Sequence, residues 1–405
     1  MIKKITGGIC APKGFKASGI HCGMRRKPGK KDLALIVSDV PAVTAGVFTT
    51  NKVKGAPIVV NKKHLADGIA QAVICNSGIA NTCNVNGIEI AETMCKLAAD
   101  FTGVKQEDVV VASTGVIGAE LRLDPIINGM PFLVSQLSDE GSIDACRAIM
   151  TTDKHVKEIA VEFEIGGVTC HLGGIGKGSG MIHPNMATML VFITTDVKIS
   201  HEMLQNALSN DVKKTFNMLS VDGDTSTNDM AVVMANGMAN NPEITEDGED
   251  YDRFMRALNT VNVYLSRCIA GDGEGASKLL ECVVSGANDE ETAKTVAKSV
   301  ICSSLVKTAM FGEDANWGRV LCAIGYSGAD IDVSKIDLDY ESSAGKVALC
   351  RDGCGVPFSE ELASRVLHEQ EINILISLGD GPCKATAWGC DLSYEYVKIN
   401  GEYRS

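Results

Sequence analysis

The chain has 405 residues, 45% of them hydrophobic, which is enough to bury a core in two or three domains or in one large two-part fold. Its 41 glycines and 5% aromatic residues favour an enzyme rich in sheets and loops over a helical bundle. The formal net charge of −13 and the lack of basic clusters interleaved with aromatic residues argue against nucleic-acid binding.

We expect a cytoplasmic protein without a membrane partner. Residues 1–10 carry charge with no long apolar stretch behind them, which argues against a signal peptide, and no window is apolar over bilayer length. The 15 cysteines are scattered, and the closest pair, Cys350 and Cys354, lacks the matching second pair that structural zinc requires. We therefore expect mostly buried, reduced thiols and no metal.

Apolar runs and helical periodicities alternate along the whole chain. The predicted strands before residue 188 are 33–38, 45–49, 58–60, 72–75, 109–112 and 168–172. The later ones are 189–195, 346–350, 372–377 and 383–388. The predicted helices are 89–101, 143–150, 201–219, 251–269 and 291–308. Alternating Tyr394, Tyr396 and Ile399 predict that the carboxyl terminus docks as a strand. The pattern indicates an α/β architecture with helices packed on sheets and with intertwined halves.

The most informative segment is 177–190, with the sequence KGSGMIHPNMATML. Thr188 lies between a glycine-rich run, 173–180, and an apolar run, 189–193, that predicts a buried strand. A cut before Thr188 would free its α-amine beside its own hydroxyl, which supplies a nucleophile and a base in one residue. The pattern alone also fits an ordinary strand threonine that follows a turn-forming loop.

Two other segments carry residues suited to acyl transfer. Thr114 and Gly115 follow a predicted strand, where a hydroxyl and a glycine amide can donate to a developing oxyanion or simply form a turn. Lys177, placed among glycines, can bind a substrate carboxylate or remain a solvated loop charge.

Further segments are less specific. The segment 151–153, Thr-Thr-Asp, is either a substrate contact or a helix cap, and Glu274, flanked by glycines, either binds an amine or belongs to a glycine-rich C-cap. The segment 221–229 holds three aspartates that could bind Mg²⁺ by composition alone. His183 is interpreted as structural or as an aid to chain cleavage, below the α-amine as a base.

The segment KGSGMIHPNMATML closely resembles the self-processing junction of the ornithine acetyltransferase family (glutamate N-acetyltransferase, arginine biosynthesis), and the other segments follow in that family's order. The resemblance implies an α/β fold with β layers sandwiched between helices. It implies cleavage between Ala187 and Thr188 into an α chain, 1–187, and a β chain, 188–405. It also implies a heterotetramer of two α and two β chains.

The resemblance also assigns roles to individual residues. Thr188 is the implied nucleophile, and Thr114 and Gly115 form the implied oxyanion hole. The implied substrate-binding residues are Thr152 (with Thr151 as the less favoured neighbour), Lys177, Thr188, Glu274, Asn400 and Ser405. The family more often ends in Thr, where this chain has Ser405.

The implied reaction moves an acetyl group from N2-acetyl-L-ornithine to Thr188 and then to L-glutamate, without a metal or an organic prosthetic group. Three alternatives remain open at this point. Acetyl-CoA can serve as a second donor in some members of the family. Related self-cleaving enzymes are aminopeptidases, so hydrolysis by a related amidohydrolase is the runner-up. An uncut, non-catalytic binding or structural protein is the third.

Overall fold

The computed structural model describes residues 1–25, 29–183 and 189–402. Strands and helices alternate along them. The strands are β1 Lys3–Ile5, β2 Phe15–Ile20, β3 Leu33–Phe48, β4 Ile69–Ile79, β5 Val109–Val116, β6 Lys157–Ile165, β7 Val168–Lys177, β8 Leu190–Thr195, β9 Leu219–Ser220, β10 Met230–Ala235, β11 Leu279–Ala287, β12 Asp337–Ser342, β13 Gly345–Arg351, β14 Cys354–Gly355, β15 Glu371–Ser377 and β16 Cys383–Cys390. The helices are α1 Ala56–His64, α2 Gly87–Thr102, α3 Asp124–Ser135, α4 Ser142–Ile149, α5 His201–Val212, α6 Glu249–Gly271, α7 Glu290–Cys302, α8 Ser304–Phe311, α9 Trp317–Gly325, α10 Glu360–His368 and α11 Tyr394–Glu402. The fold is mixed α/β, as predicted.

Described residues within 1–178, 189–216 and 225–265 form the first compact unit. Among them, nine strands make one sheet in the order β1-β6-β7-β8-β10-β3-β4-β5, and β2 pairs with β3 as well. The β4–β5 and β8–β10 pairs are parallel. The unit therefore draws on residues from both sides of position 188.

Each face of this sheet has its own apolar core, because successive side chains of a strand point to opposite faces. Leu33 and Leu35 of β3 are fully buried and pack in a core shared with α2 and α3. Ala34 and Ile36, which alternate with them in sequence, pack in the other core with α4. Burial of each large aliphatic side chain contributes roughly 1.5–3 kcal/mol. Helices thus cover both faces of the sheet.

The second unit contains the described residues within 179–183, 217–224 and 266–402. Its sheet has seven strands among the described residues, in the order β14-β13-β12-β15-β11-β16-β9. The β11–β15 and β16–β9 pairs are parallel. Helix α7 packs on β11 and β16.

Several local predictions are wrong. The helix expected at 201–219 ends at Val212, and strand β9 begins at Leu219. Residues 58–60 belong to α1, which has Pro57 in its first turn, a position where proline is favoured. The carboxyl-terminal residues from Tyr394 form helix α11 instead of a docked strand. The predicted helix 291–308 is two helices, because Ser303 ends α7 and its side chain caps α8 by accepting from the N–H of Val306.

The glycine-rich run before the junction is also strand and not loop as far as Lys177, because Gly173 to Lys177 pair with β8. Gly173 is required there, since a Cβ would collide with the carbonyl oxygen of Gly8. The described residues include no helix with the length and apolar character that a bilayer crossing demands.

Candidate active site

The first unit places the Thr114–Gly115 segment at the end of β5, where it continues the parallel pairing with β4. Gly115 lies opposite Gly78, and it has a φ of +130°, which L side chains rarely adopt. A Cβ on Gly115 would overlap the carbonyl group of Gly78 and lie 2.7 Å from the nitrogen of Ile79. Glycine at 115 therefore permits the close approach of the two strand ends, and the segment is strand and not an ordinary turn.

Lys177 ends β7 and is only 8% exposed, so it is not a solvated loop charge. Its ammonium group donates a hydrogen bond to Oγ1 of Thr114 over 3.3 Å. Because the Thr114 oxygen accepts this bond, its own hydroxyl proton is available for a second acceptor. Thr114 and Gly115 are each partly exposed, so this strand end is not sealed inside the core. The structure thus brings Thr114, Gly115 and Lys177 together.

A buried carboxylate, Asp153, balances the positive charge at this position. One of its oxygens accepts from Nζ of Lys157 at 2.8 Å and from the N–H of Gly178 at 2.7 Å. The other accepts from the N–H of Thr151 at 2.9 Å. Thr151 and Thr152 are half-exposed beside it. The sequence interpretation singled out the threonines and missed the aspartate, although a buried lysine nearby requires a counter-ion.

Burial and charge act in opposition on these groups. Burial raises the pKa of Asp153, but the ammonium groups of Lys177 and Lys157, together with the hydrogen bonds, outweigh it and leave the pKa well below its usual range. Burial lowers the pKa of Lys177, Asp153 opposes this, and Lys157 and Arg25 add to the lowering. Lys177 thus has two cationic side chains, Lys157 and Arg25, acting on it and one carboxylate, Asp153, opposing them, an arrangement that suits an anionic substrate group.

Replacing Asp153 with asparagine is expected to lower the free energy of unfolding by about 3–5 kcal/mol at neutral pH, because two buried ammonium groups lose their counter-ion. The folded-state pKa of Asp153 lies below its unfolded value. Its stabilisation is therefore present above the unfolded pKa of about 3.9 and is lost as the pH falls towards the folded pKa. Urea unfolding measured at pH 7 and below pH 4 should show that the difference in the free energy of unfolding between wild type and variant is smaller in acid.

Asp100→Asn is the matched control, because Asp100 also pairs with a lysine four positions away, Lys96, but both side chains are more than half exposed. This variant should lower the free energy of unfolding by less than about 1 kcal/mol. Equal losses in the two variants would contradict a role for Asp153 as the buried counter-ion.

The second unit holds two other predicted substrate residues. Glu274 is 9% exposed, and its N–H donates to the carbonyl of Ser179 over 2.9 Å. Asn400, on α11, donates from Nδ2 to Oε2 of Glu274 over 2.8 Å. A Cβ on Gly180 would lie 2.6 Å from Oε1 of Glu274, so this glycine leaves room for the carboxylate. The structure brings Glu274 and Asn400 together. Ala187, Thr188 and Ser405 lie outside the described residues.

The remaining singled-out segments have structural partners. Asp222 accepts from the N–H groups of Met181 and Ile182 at 2.6 and 2.8 Å, and the described residues contain no cluster of three or more His, Cys, Asp or Glu side chains suited to a metal ion. Nδ1 of His183 lies 3.1 Å from Oγ of Ser220. Burial, with the charge of Lys298, lowers the pKa of His183 to about 4, so its ring is neutral near pH 7.

Together, a partly exposed threonine–glycine pair at a strand end and a buried lysine that donates to the threonine hydroxyl define a candidate acyl-transfer site in a mixed α/β protein. Comparison with known protein families and relatives points to the same class of protein. The ArgJ family profile matches residues 16–405. The chain is 50% identical over 402 residues, 99% of each chain, to the arginine biosynthesis bifunctional protein ArgJ of Caldanaerobacter subterraneus subsp. tengcongensis.

Two further comparisons agree with this. The chain is 49% identical over 392 residues to the arginine biosynthesis bifunctional protein ArgJ 1 of Clostridium acetobutylicum, covering 96% of each. The crystal structure of the arginine biosynthesis bifunctional protein ArgJ from Bacillus halodurans matches with a TM-score of 0.50 and 45% identity, over 52% of this chain and 98% of that one. The chain belongs to the ArgJ family.

Proposed function

We propose that this chain is an autocatalytically cleaved glutamate N-acetyltransferase of arginine biosynthesis, which moves the acetyl group of N2-acetyl-L-ornithine to L-glutamate. Membership of the ArgJ family supports the acyltransferase class. The observation that carries the chemistry is the hydrogen bond from Lys177 to Thr114 at the glycine-dependent end of β5. It orients one hydroxyl donor beside one amide donor.

Maturation comes first in this proposal. The Thr188 hydroxyl attacks the carbonyl carbon of Ala187, the peptide nitrogen leaves as the Thr188 amine, and an ester joins the two residues. Water then hydrolyses the ester, which yields an α chain, 1–187, and a β chain, 188–405. The freed α-amine titrates near neutral pH, so it can accept the hydroxyl proton of its own residue.

Transfer then proceeds in two halves through one acetyl-enzyme. The Thr188 oxygen attacks the acetyl carbonyl of N2-acetylornithine, and the oxyanion that forms accepts hydrogen bonds from the Thr114 hydroxyl and the Gly115 amide. The scissile nitrogen takes a proton from the Thr188 ammonium group and leaves as ornithine. The glutamate amine then attacks the Thr188 ester and passes a proton to the Thr188 α-amine. The ester C–O bond breaks, the Thr188 oxygen takes that proton back as a hydroxyl, and N-acetylglutamate departs.

Other residues bind the substrate in this proposal. Lys177 and Thr152 contact its charged and polar groups, and the cationic side chains beside Asp153 support carboxylate binding. Glu274 supplies a carboxylate for a substrate amine, and Asn400 and Ser405 assist it. The mature enzyme is an α₂β₂ heterotetramer in the cytoplasm and needs no metal or organic cofactor. Acetyl-CoA as a second acetyl donor is a further part of this proposal, and two relatives carry the word bifunctional in their names.

The test is the intact mass of the purified protein before and after exposure to N2-acetylornithine. We expect two fragments that meet between Ala187 and Thr188, and one acetyl group added to the carboxyl-terminal fragment. Addition of glutamate should discharge the acetyl group as N-acetylglutamate, and acetyl-CoA should reload it. Loss of the acetyl group to water at the same rate without glutamate would favour a hydrolase. An uncut chain that never gains mass would contradict the proposal.

A further inference from the structure

The segment 221–229 has no chemical role in the reaction described above, yet its last three residues are buried. Thr227, Asn228 and Asp229 are 7%, 5% and 2% exposed. They lie in the first unit, and the backbone there is tied to the loop before α1, since Gly55 donates its N–H to the carbonyl of Thr227 over 2.9 Å. A buried polar side chain must find its partners inside the protein, so the partners of Asn228 indicate what this segment does.

Both hydrogens of the Asn228 amide are used at the ends of two strands. Nδ2 donates to the carbonyl oxygen of Ala80, directly after β4, at 2.5 Å. It also donates to the carbonyl oxygen of Ser113, in β5, at 2.9 Å. The carbonyl of Ser113 belongs to the same planar peptide group as the N–H of Thr114. Asn228 therefore holds the peptide that leads into the oxyanion-binding segment.

The Oδ1 atom of Asn228 also has its full set of hydrogen-bond partners. Oδ1 accepts from Oγ1 of Thr82 at 2.6 Å and from Oγ1 of Thr227 at 2.7 Å. With two donated and two accepted bonds, the amide has one fully satisfied orientation. A Cβ on Gly55 would lie 2.5 Å from Oδ1, so glycine there leaves space for this arrangement.

The hydrogen bonds of Asn228 hold a part of the β4–β5 pair in which two glycines face each other. Gly78 and Gly115 face each other across β4 and β5, so neither offers a side chain to hold the strand ends. Asn228 joins the backbone on either side of this glycine pair, at residues 80 and 113. An oxyanion hole contributes most when its donors are held in place before the reaction.

We infer that Asn228 is a positioning residue for the Thr114–Gly115 segment: its amide, fixed by two threonine hydroxyls, sets the direction of the donors that meet the oxyanion. This inference rests on the proposed acyl transfer for its kinetic consequence. The hydrogen bonds that carry it do not depend on that reaction.

Asn228→Asp tests this with little change of shape. Aspartate keeps an acceptor for the two threonine hydroxyls but puts a carboxylate oxygen against two carbonyl oxygens. We expect kcat to fall by about 10–100-fold. This is less than the 10²–10³-fold loss of kcat that follows removal of a whole oxyanion donor, because the donors are misdirected and not removed. The KM for N2-acetylornithine should change by less than about threefold, because ground-state binding is not affected. Hydrogen exchange, followed by mass spectrometry, should quicken in the peptide spanning 113–118.

Asn61→Asp is the matched control. Asn61 is fully buried, donates from Nδ2 to the carbonyl of Val111 at 2.8 Å and accepts from the N–H of Val111 at 2.8 Å. The substitution is the same as at position 228. The Asn61 side chain also holds the backbone of β5, at Val111, two residues before Ser113. It should lower the thermal midpoint without lowering kcat. Thr227→Val removes one hydroxyl donor with little change of volume and should reduce kcat by a smaller factor, so the inference remains testable if Asn228→Asp does not fold.

The outcomes separate the two claims. Wild-type kcat and unchanged exchange at 113–118 in Asn228→Asp would overturn the inference, as would an equal loss of kcat in Asn61→Asp. If the wild-type protein neither cleaves nor takes up acetyl groups, the proposed function fails. The exchange comparison between the two aspartate variants still decides whether Asn228 orders the segment.

Discussion

Replacing Thr188 with alanine is expected to leave a single uncut chain and to lower the transferase rate by roughly 10⁴-fold or more, as loss of a covalent nucleophile does elsewhere. The reason is that in the proposed mechanism one oxygen, the Thr188 hydroxyl oxygen, serves both reactions. It attacks the carbonyl of Ala187 during maturation and the acetyl carbonyl during transfer. Intact mass and the initial rate of N-acetylglutamate formation measure the two effects separately.

Thr188→Ser is the control for this prediction, because serine keeps the hydroxyl and loses one methyl group. It should still yield two fragments and should accept an acetyl group more slowly. A Thr188→Ala protein that is still cut after residue 187 would assign the cleavage to another group. A cut but inactive Thr188→Ser protein would separate the cleavage nucleophile from the acetyl acceptor.

Replacing Gly115 with alanine is expected to lower kcat by about 10²–10³-fold, the usual cost of losing one oxyanion donor. The added Cβ would overlap the carbonyl of Gly78 and lie 2.7 Å from the nitrogen of Ile79, which are backbone atoms, so the ends of β4 and β5 must separate. The φ of +130° adds strain of about 1–3 kcal/mol for a residue with a side chain. Both kcat and the thermal midpoint should fall.

Gly118→Ala separates the donor effect from simple backbone strain. Gly118 also has a positive φ, +78°, but a Cβ there meets nothing within 4 Å. This variant should lose about 1–2 kcal/mol of stability, because a left-handed backbone disfavours alanine. Its kcat should stay near the wild-type value. Equal kcat losses in both glycine variants would mean that the segment is sensitive to any strain and that Gly115 has no special position.

Elements with strong internal periodicity were predictable without the tertiary structure. The helix expected at 89–101 is α2, Gly87–Thr102, because its apolar residues recur at helical spacing. The apolar run after the junction is β8, Leu190–Thr195, in which every residue is buried. The two failed strands, 58–60 and 394–399, are short segments in which apolar residues fit either spacing, so contacts elsewhere in the fold decided between helix and strand.

The sequence by itself determined the residue types of the candidate site and their order along the chain, because the glycine-flanked lysine, the threonine–glycine pair and the junction are all local patterns. Only the tertiary structure decided which of them meet. Lys177 bonds to Thr114, 63 positions away, and Asn228 bonds to Ser113, 115 positions away. Pairing of β strands and burial of charge create these contacts, and both depend on the whole fold. For the same reason the sequence left Asn228 without a role, since its partners Ser113, Thr82 and Ala80 lie 115 to 148 positions away. Asp153 has two partners close in sequence, Thr151 and Lys157, but only the fold shows that the group is buried and meets Gly178.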